Sequence, residues 1–287
     1  MKNVLISAVA ALSITMTGCA SNKQIDPTPV KLDKTDSFAM QVLKSGFDYV
    51  PFDIDDTEVA EDAYSNKVGY GASAGLGFLA RGGVGALSGL GMAAIINAGG
   101  DVRKDFMHYV AWVPADNIDI NDKAAIDEYI KLNYLKPAAD AFIASEHNKN
   151  MDHPTEFVSY ADGEYRVKGG ACWPIMHGKE KYDECQIFWK HDVAPVRYAD
   201  AASGLPFEPE VKANRYIVVR ISDAFYGSSV VLPYLKSNMI YVYVPAFGYK
   251  AEHLNRFAPA DKPMLSNIIP FIAGKNSEAN FFIKVKK

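Results

Sequence analysis

Apolar and polar positions change period along this chain, from helical spacing in the first half to alternation in the second. Over residues 37–47, Phe38, Val42 and Leu43 recur near helical spacing and Gly46 can end the turn, which predicts a short amphipathic helix. A stronger helix opens at Asn121 or Asp122 as N-cap and sets Ile126, Tyr129, Ile130 and Tyr134 on one face. Pro137 interrupts it, and because proline is tolerated in a first turn, a second helix carrying Phe142 and Ile143 is expected from there, fading near His147. Beyond Met151 the period falls to two. Residues 157–160 and 164–168 flank Ala161-Asp162-Gly163, the pattern of a hairpin. Residues 109–113, 216–221, 239–244 and 281–285 are further strand candidates, with Ile240, Val242 and Val244 on one face and Tyr241 and Tyr243 on the other. The expected fold class is α+β: N-terminal helices, then a mainly antiparallel β C-terminal half.

One stretch fits neither half. Residues 68–100 are dominated by Gly, Ala and Leu, with Arg81 as the only charge. On a helix, Gly71, Gly75, Gly82, Gly85 and Gly89 line one face with hydrogens, while Leu76, Leu79, Leu87 and Leu90 line another. A related pattern starts at Gly75 and again at Gly89, so two helical arms turning at Arg81-Gly82-Gly83 are expected. The segment resembles the glycine-zipper stretches of several envelope lipoproteins, whose small faces let helix backbones approach closely. Each glycine costs about 1 kcal/mol relative to alanine inside a helix, so close packing must offset it. Whether that packing is against membrane or inside a soluble domain stays open at this point.

The first residues change the picture most. Lys2 followed by an apolar run over residues 4–16 has the length of a secretion signal and is too short to span a bilayer. Met16-Thr17-Gly18-Cys19-Ala20 then resembles the lipobox of bacterial lipoproteins. The resemblance implies diacylglycerol on the Cys19 sulfur, cleavage after Gly18 and a further acyl chain on the freed amine. Three chains exceed the two that stable anchoring needs. The competing reading is a soluble secreted protein whose signal happens to end in a cysteine. Ala20, rather than Asp, at the second mature position implies the outer membrane by the same resemblance. The domain expectation is therefore a signal peptide over residues 1–18, a lipidated polar tether over 19–36 containing Pro27 and Pro29, and one α+β domain over 37–287.

A formal charge of −4 disfavours nucleic acid as a partner, and nearly half the residues are apolar, enough to bury a core. In an oxidising compartment Cys172 and Cys185 are expected to form a disulfide. The rival is a zinc site joining them to His177 and His191, but the spacing lacks a Cys-x-x-Cys knuckle. Gly71-Ala72-Ser73-Ala74-Gly75 matches a nucleophile elbow without the preceding strand it requires, so Ser73 is a weak catalytic candidate, with Asp101 or Asp192 and His191 or His253 as nominal partners. Residues 75–80 and 89–94 both fit a dinucleotide-binding glycine pattern, again without a strand before them. Asp48, Asp53, Asp55, Asp56, Glu58, Glu61 and Asp62 form an acidic cluster without EF-hand spacing, read as a solvated face before a calcium site. No metal and no cofactor are expected. The functional expectation is a non-enzymatic binding or assembly lipoprotein at the outer membrane, facing the periplasm, with the membrane and envelope proteins as partners. Its alternatives are a periplasmic serine hydrolase using Ser73 and a lipoprotein that inserts residues 68–100 into membrane.

Overall fold

The structure is a computed structural model that describes residues 29–47, 54–60, 108–172, 183–187, 192–222, 230–244 and 271–286. The expected glycine-rich helical hairpin, with Gly71, Gly75, Gly82, Gly85 and Gly89, lies outside them. Helix α1 (Phe38–Gly46) forms where the apolar spacing placed it. Ser37 caps it by accepting from the Met40 N–H at 3.1 Å, and the Ser37 N–H in turn donates to Asp56 Oδ2 at 2.6 Å. At its other end the helix comes close to a strand. A Cβ on Gly46 would sit 2.5 Å from the Val110 side chain, so a larger residue would push helix and strand apart.

That strand, β2 (His108–Pro114), is the hub of a six-stranded sheet. The sheet also contains β6 (Asp192–Asp200), β7 (Arg215–Ser222), β8 (Ile240–Val244), β9 (Phe271–Ala273) and β10 (Ala279–Phe281), in the order β10-β9-β8-β2-β7-β6. Every neighbouring pair is antiparallel. Both alternating sets on β8 are buried, and Tyr109, Ala111 and Val113 are as buried as Val110 and Trp112, so the central strands are covered on both faces. Helix α1 lies over the face of Val110 and Tyr241, where Phe38 meets the Tyr241 ring edge-on at 5.2 Å.

A second helical run packs against β2 and β6: α2 (Lys123–Ile130), a π turn (Lys131–Leu135), α3 (Lys136–Ala144) and the short α4 (Glu146–Lys149). Asp122 is the N-cap of α2, accepting from the Ala125 N–H. Pro137 cannot donate to the carbonyl four residues back, and the helix widens before it. The Lys136 N–H reaches the Lys131 carbonyl and α3 restarts with proline in its first turn. Burial pushes the Tyr134 hydroxyl pKa well up, so it stays protonated and donates at 2.6 Å to the Trp112 carbonyl, which lies beyond the end of the β2–β8 pairing.

Strands β3 (Glu156–Ala161), β4 (Glu164–Lys168) and β5 (Cys185–Gln186) form a separate three-stranded antiparallel sheet, in that order. It leans on the helices: the Tyr165 hydroxyl donates to Asp140 at 2.6 Å. The single strand expected over residues 281–285 is instead two. The chain bends at buried Phe282, whose carbonyl accepts from the Thr57 N–H, and β11 (Ile283–Lys286) then pairs in parallel with β1 (Thr57–Ala60). The fold is therefore α+β with mostly antiparallel sheets. Among the described residues no helix is long and apolar enough to cross a membrane.

Candidate binding surface

The turn between β3 and β4 holds Asp162 at φ 52° and Gly163 at φ 73°, the paired positive angles that a tight two-residue hairpin demands. Ala161 and Glu164 close it, which makes Tyr160 and Tyr165 a non-hydrogen-bonded pair. On the far side of β4, the Tyr165 carbonyl accepts from the Ile187 N–H, in keeping with that phase. The N–H and C=O of Tyr160 therefore point away from β4, along a side where no further strand pairs among the described residues. The ladder then slips between Phe157 and Ser159, leaving Val158 as a bulge residue. The slip restores Phe157 to the same face as Tyr160, and both rings approach Tyr165, at 5.2 and 6.2 Å. Tyr165 is fully buried, whereas Phe157 is 48% and Val158 40% exposed.

A buried hydrogen-bond network leads into this strand. Asn148, almost wholly buried, donates to the Thr155 carbonyl and accepts from the Thr155 N–H, both at 2.8 Å, while Thr155 Oγ1 accepts from the Ala171 N–H. The opposite face of the small sheet is polar, with Arg166 bridging Glu164 and Glu184. Acids surround the strand itself. Glu156 stands at its start, bridged to Lys168 at 2.8 Å between largely exposed side chains, and Asp162 lies just past its end. Burial first, then the negative charges of Glu128 and Asp127, raise the pKa of the Tyr160 hydroxyl. Asp127 also holds the buried Lys131 ammonium at 2.6 Å.

Cys172 and Cys185 stand at disulfide distance, with Cα atoms 5.6 Å apart. They tie the turn after β4 to β5 and so close the small sheet. Cys19, Ser73, Asp101, His177, His191 and His253 lie outside the described residues. Asp192 begins β6 opposite Ser222. Of the acidic cluster, Asp55, Asp56 and Glu58 are described, and Asp56 serves the start of α1 through the Ser37 N–H. Among the described residues no group of three or more His, Cys, Asp or Glu is placed to hold a metal ion. Where α1 ends, the Phe47 ring meets His108 edge-on at 5.7 Å, with the Arg220 guanidinium 5.5 Å above it.

Nothing in the sequence alone marks Phe157 and Val158 as exposed on an edge. The hairpin was legible, but whether a strand is an edge depends on what pairs beside it, and a bulge leaves no mark in the alternation. No protein-family model, curated protein or solved structure matches this chain.

Proposed function

We propose that this chain is a lipoprotein held through Cys19 on the periplasmic side of the outer membrane, acting there as a non-enzymatic binding or assembly component. The observation that carries the binding role is β3: a strand that has one side unpaired among the described residues and exposes Phe157 and Val158, backed by the buried Asn148–Thr155 network. Anchorage rests on the lipobox resemblance, and the folded part begins where a tether would deliver it. Val30 is buried, and its N–H donates to the Tyr198 carbonyl on β6. A linker from Cys19 to Val30 reaches at most about 35 to 40 Å when extended, which keeps the domain within touching distance of proteins embedded in the same leaflet.

The test is site-specific photocrosslinking of the lipidated protein in intact envelopes. A crosslinker at Val158 should give one discrete adduct that is absent when it is placed at Val211, an exposed apolar residue outside the small sheet. Cys19→Ser should abolish acyl labelling and the Val158 adduct together. Equal adducts from both positions, or acyl labelling that persists in Cys19→Ser, would remove the reading.

A further inference from the structure

We infer that β3 takes an extended segment of another protein, apolar in its middle and carrying Lys or Arg at its ends, as an added antiparallel or parallel strand. This rests on the binding role proposed above and names the chemistry of the partner. Three observations converge on it. The N–H and C=O of Tyr160, and by the same ladder phase those of Phe157, point to the side where no strand pairs among the described residues. Val167, opposite Phe157, also pairs with Cys185 on β5, so its own backbone groups are spent on that side and the Phe157 groups face out. An added strand supplies the missing ladder bonds, and its side chains lie over the exposed Phe157 and Val158.

The third observation is charge, and it separates the possible occupants. Glu156 at one end of β3 and Asp162 at the other would face each other if two copies of this strand paired antiparallel, opposing like charges at both ends of the interface. Glu128 beside Tyr160 adds to the negative field, whereas Asp127 is neutralised by its 2.6 Å bridge to Lys131. A strand with basic ends meets attraction at the same places. The Glu156–Lys168 bridge is between largely exposed groups and can exchange for an incoming base at little cost. The bulge at Val158 fits this division of roles. It spaces the outward groups of Phe157 and Tyr160 three residues apart instead of two, which blocks open-ended sheet growth and leaves room for one short segment.

The probe is a short synthetic peptide with lysine at both ends and alternating valine and threonine between, titrated onto the full mature chain in detergent. Its controls are the same peptide with glutamate ends and the same peptide with alternate backbone nitrogens methylated on either edge. The lysine-ended peptide should bind at least about tenfold more tightly than the glutamate-ended one, and methylation of one edge but not the other should abolish binding. In the protein, Tyr160→Pro removes an outward N–H while leaving the β3–β4 ladder its bonds, and should cost about tenfold or more. Glu156→Lys should narrow or invert the preference between the two peptides. If Tyr160→Pro fails to fold, the methylated probes decide on the unaltered chain. Equal binding of both end types, indifference to methylation, or no binding overturns the inference. So does concentration-dependent dimerisation that the Tyr160→Pro change removes, because β3 then belongs to a second copy. A Val158 adduct in envelopes together with failure of every peptide would leave the binding role standing and this partner chemistry refuted.

Discussion

In the large sheet, the outer strand β6 is guarded three times over: Pro195 removes a donor, the ladder shifts between Pro195 and Arg197, and the Val30 segment bonds to Tyr198 from outside. In the small sheet, β3 has one of those devices, a bulge, and carries exposed Phe157 and Val158 as well. Both edges belong to one chain and face the same aggregation hazard. Among the described residues one edge is sealed and the other is left open over a braced backing, and the binding role proposed for β3 rests on that contrast.

That contrast can be broken by experiment, most severely through the layer between the sheets. Phe142 on α3 is wholly buried and its ring lies 5.4 Å from Tyr234, so Phe142→Ala should cost about 3 to 5 kcal/mol and lower the stability of both sheets in denaturant unfolding followed by hydrogen exchange. If only one sheet lost protection, the helices would not be a core shared by both sheets. Next in size, replacing Cys172 and Cys185 by Ser should remove roughly 3 kcal/mol, the entropy of closing a loop of sequence separation 13. Exchange should rise in β4 and β5 and stay low in β2 and β7. Alkylation of the unaltered chain under denaturing conditions should label neither cysteine until reductant is added.

Tyr165→Phe deletes the hydroxyl that donates to Asp140 and should cost about 1.5 to 3 kcal/mol, the range for hydrogen bonds to charged groups. Its effect should be concentrated in the hairpin. The smallest expected change is Phe157→Ala, below about 1 kcal/mol in stability because the ring is half exposed and keeps only a rim contact with Tyr165. The same substitution should weaken peptide binding at β3. A large loss of stability would mean that Phe157 is a core residue and that the openness of this edge is incidental.

Much of this architecture was legible in the sequence. Asp122 as a cap, Pro137 as the point where one helix yields to the next, and Asp162-Gly163 as a turn are local signals, each backed by a backbone requirement that few residues meet. β6 escaped because Pro195 breaks its pattern, and a proline inside a strand is intelligible only once the strand is known to be an edge. β1 and the break at Phe282 escaped for a different reason, since a four-residue strand becomes visible only through its partner far away in the sequence. The candidate binding surface shares that fate. Alternation around Phe157 and Tyr160 predicts a strand, but the phase slip at Val158 that puts both rings on one face comes from the pairing with Arg166 and Val167.

The parallel pairing of β1 with β11 has a bearing on how the chain is made. Thr57 bonds to Phe282 and lines up with Ile283, and Lys284 reaches Thr35 at 3.5 Å, so the neighbourhood of α1 is completed by residues the ribosome delivers much later. Contacts that close such long loops form slowly and cannot be anticipated by local structure. A nascent chain emerging in order would carry its first helix without the strand that finishes its surroundings.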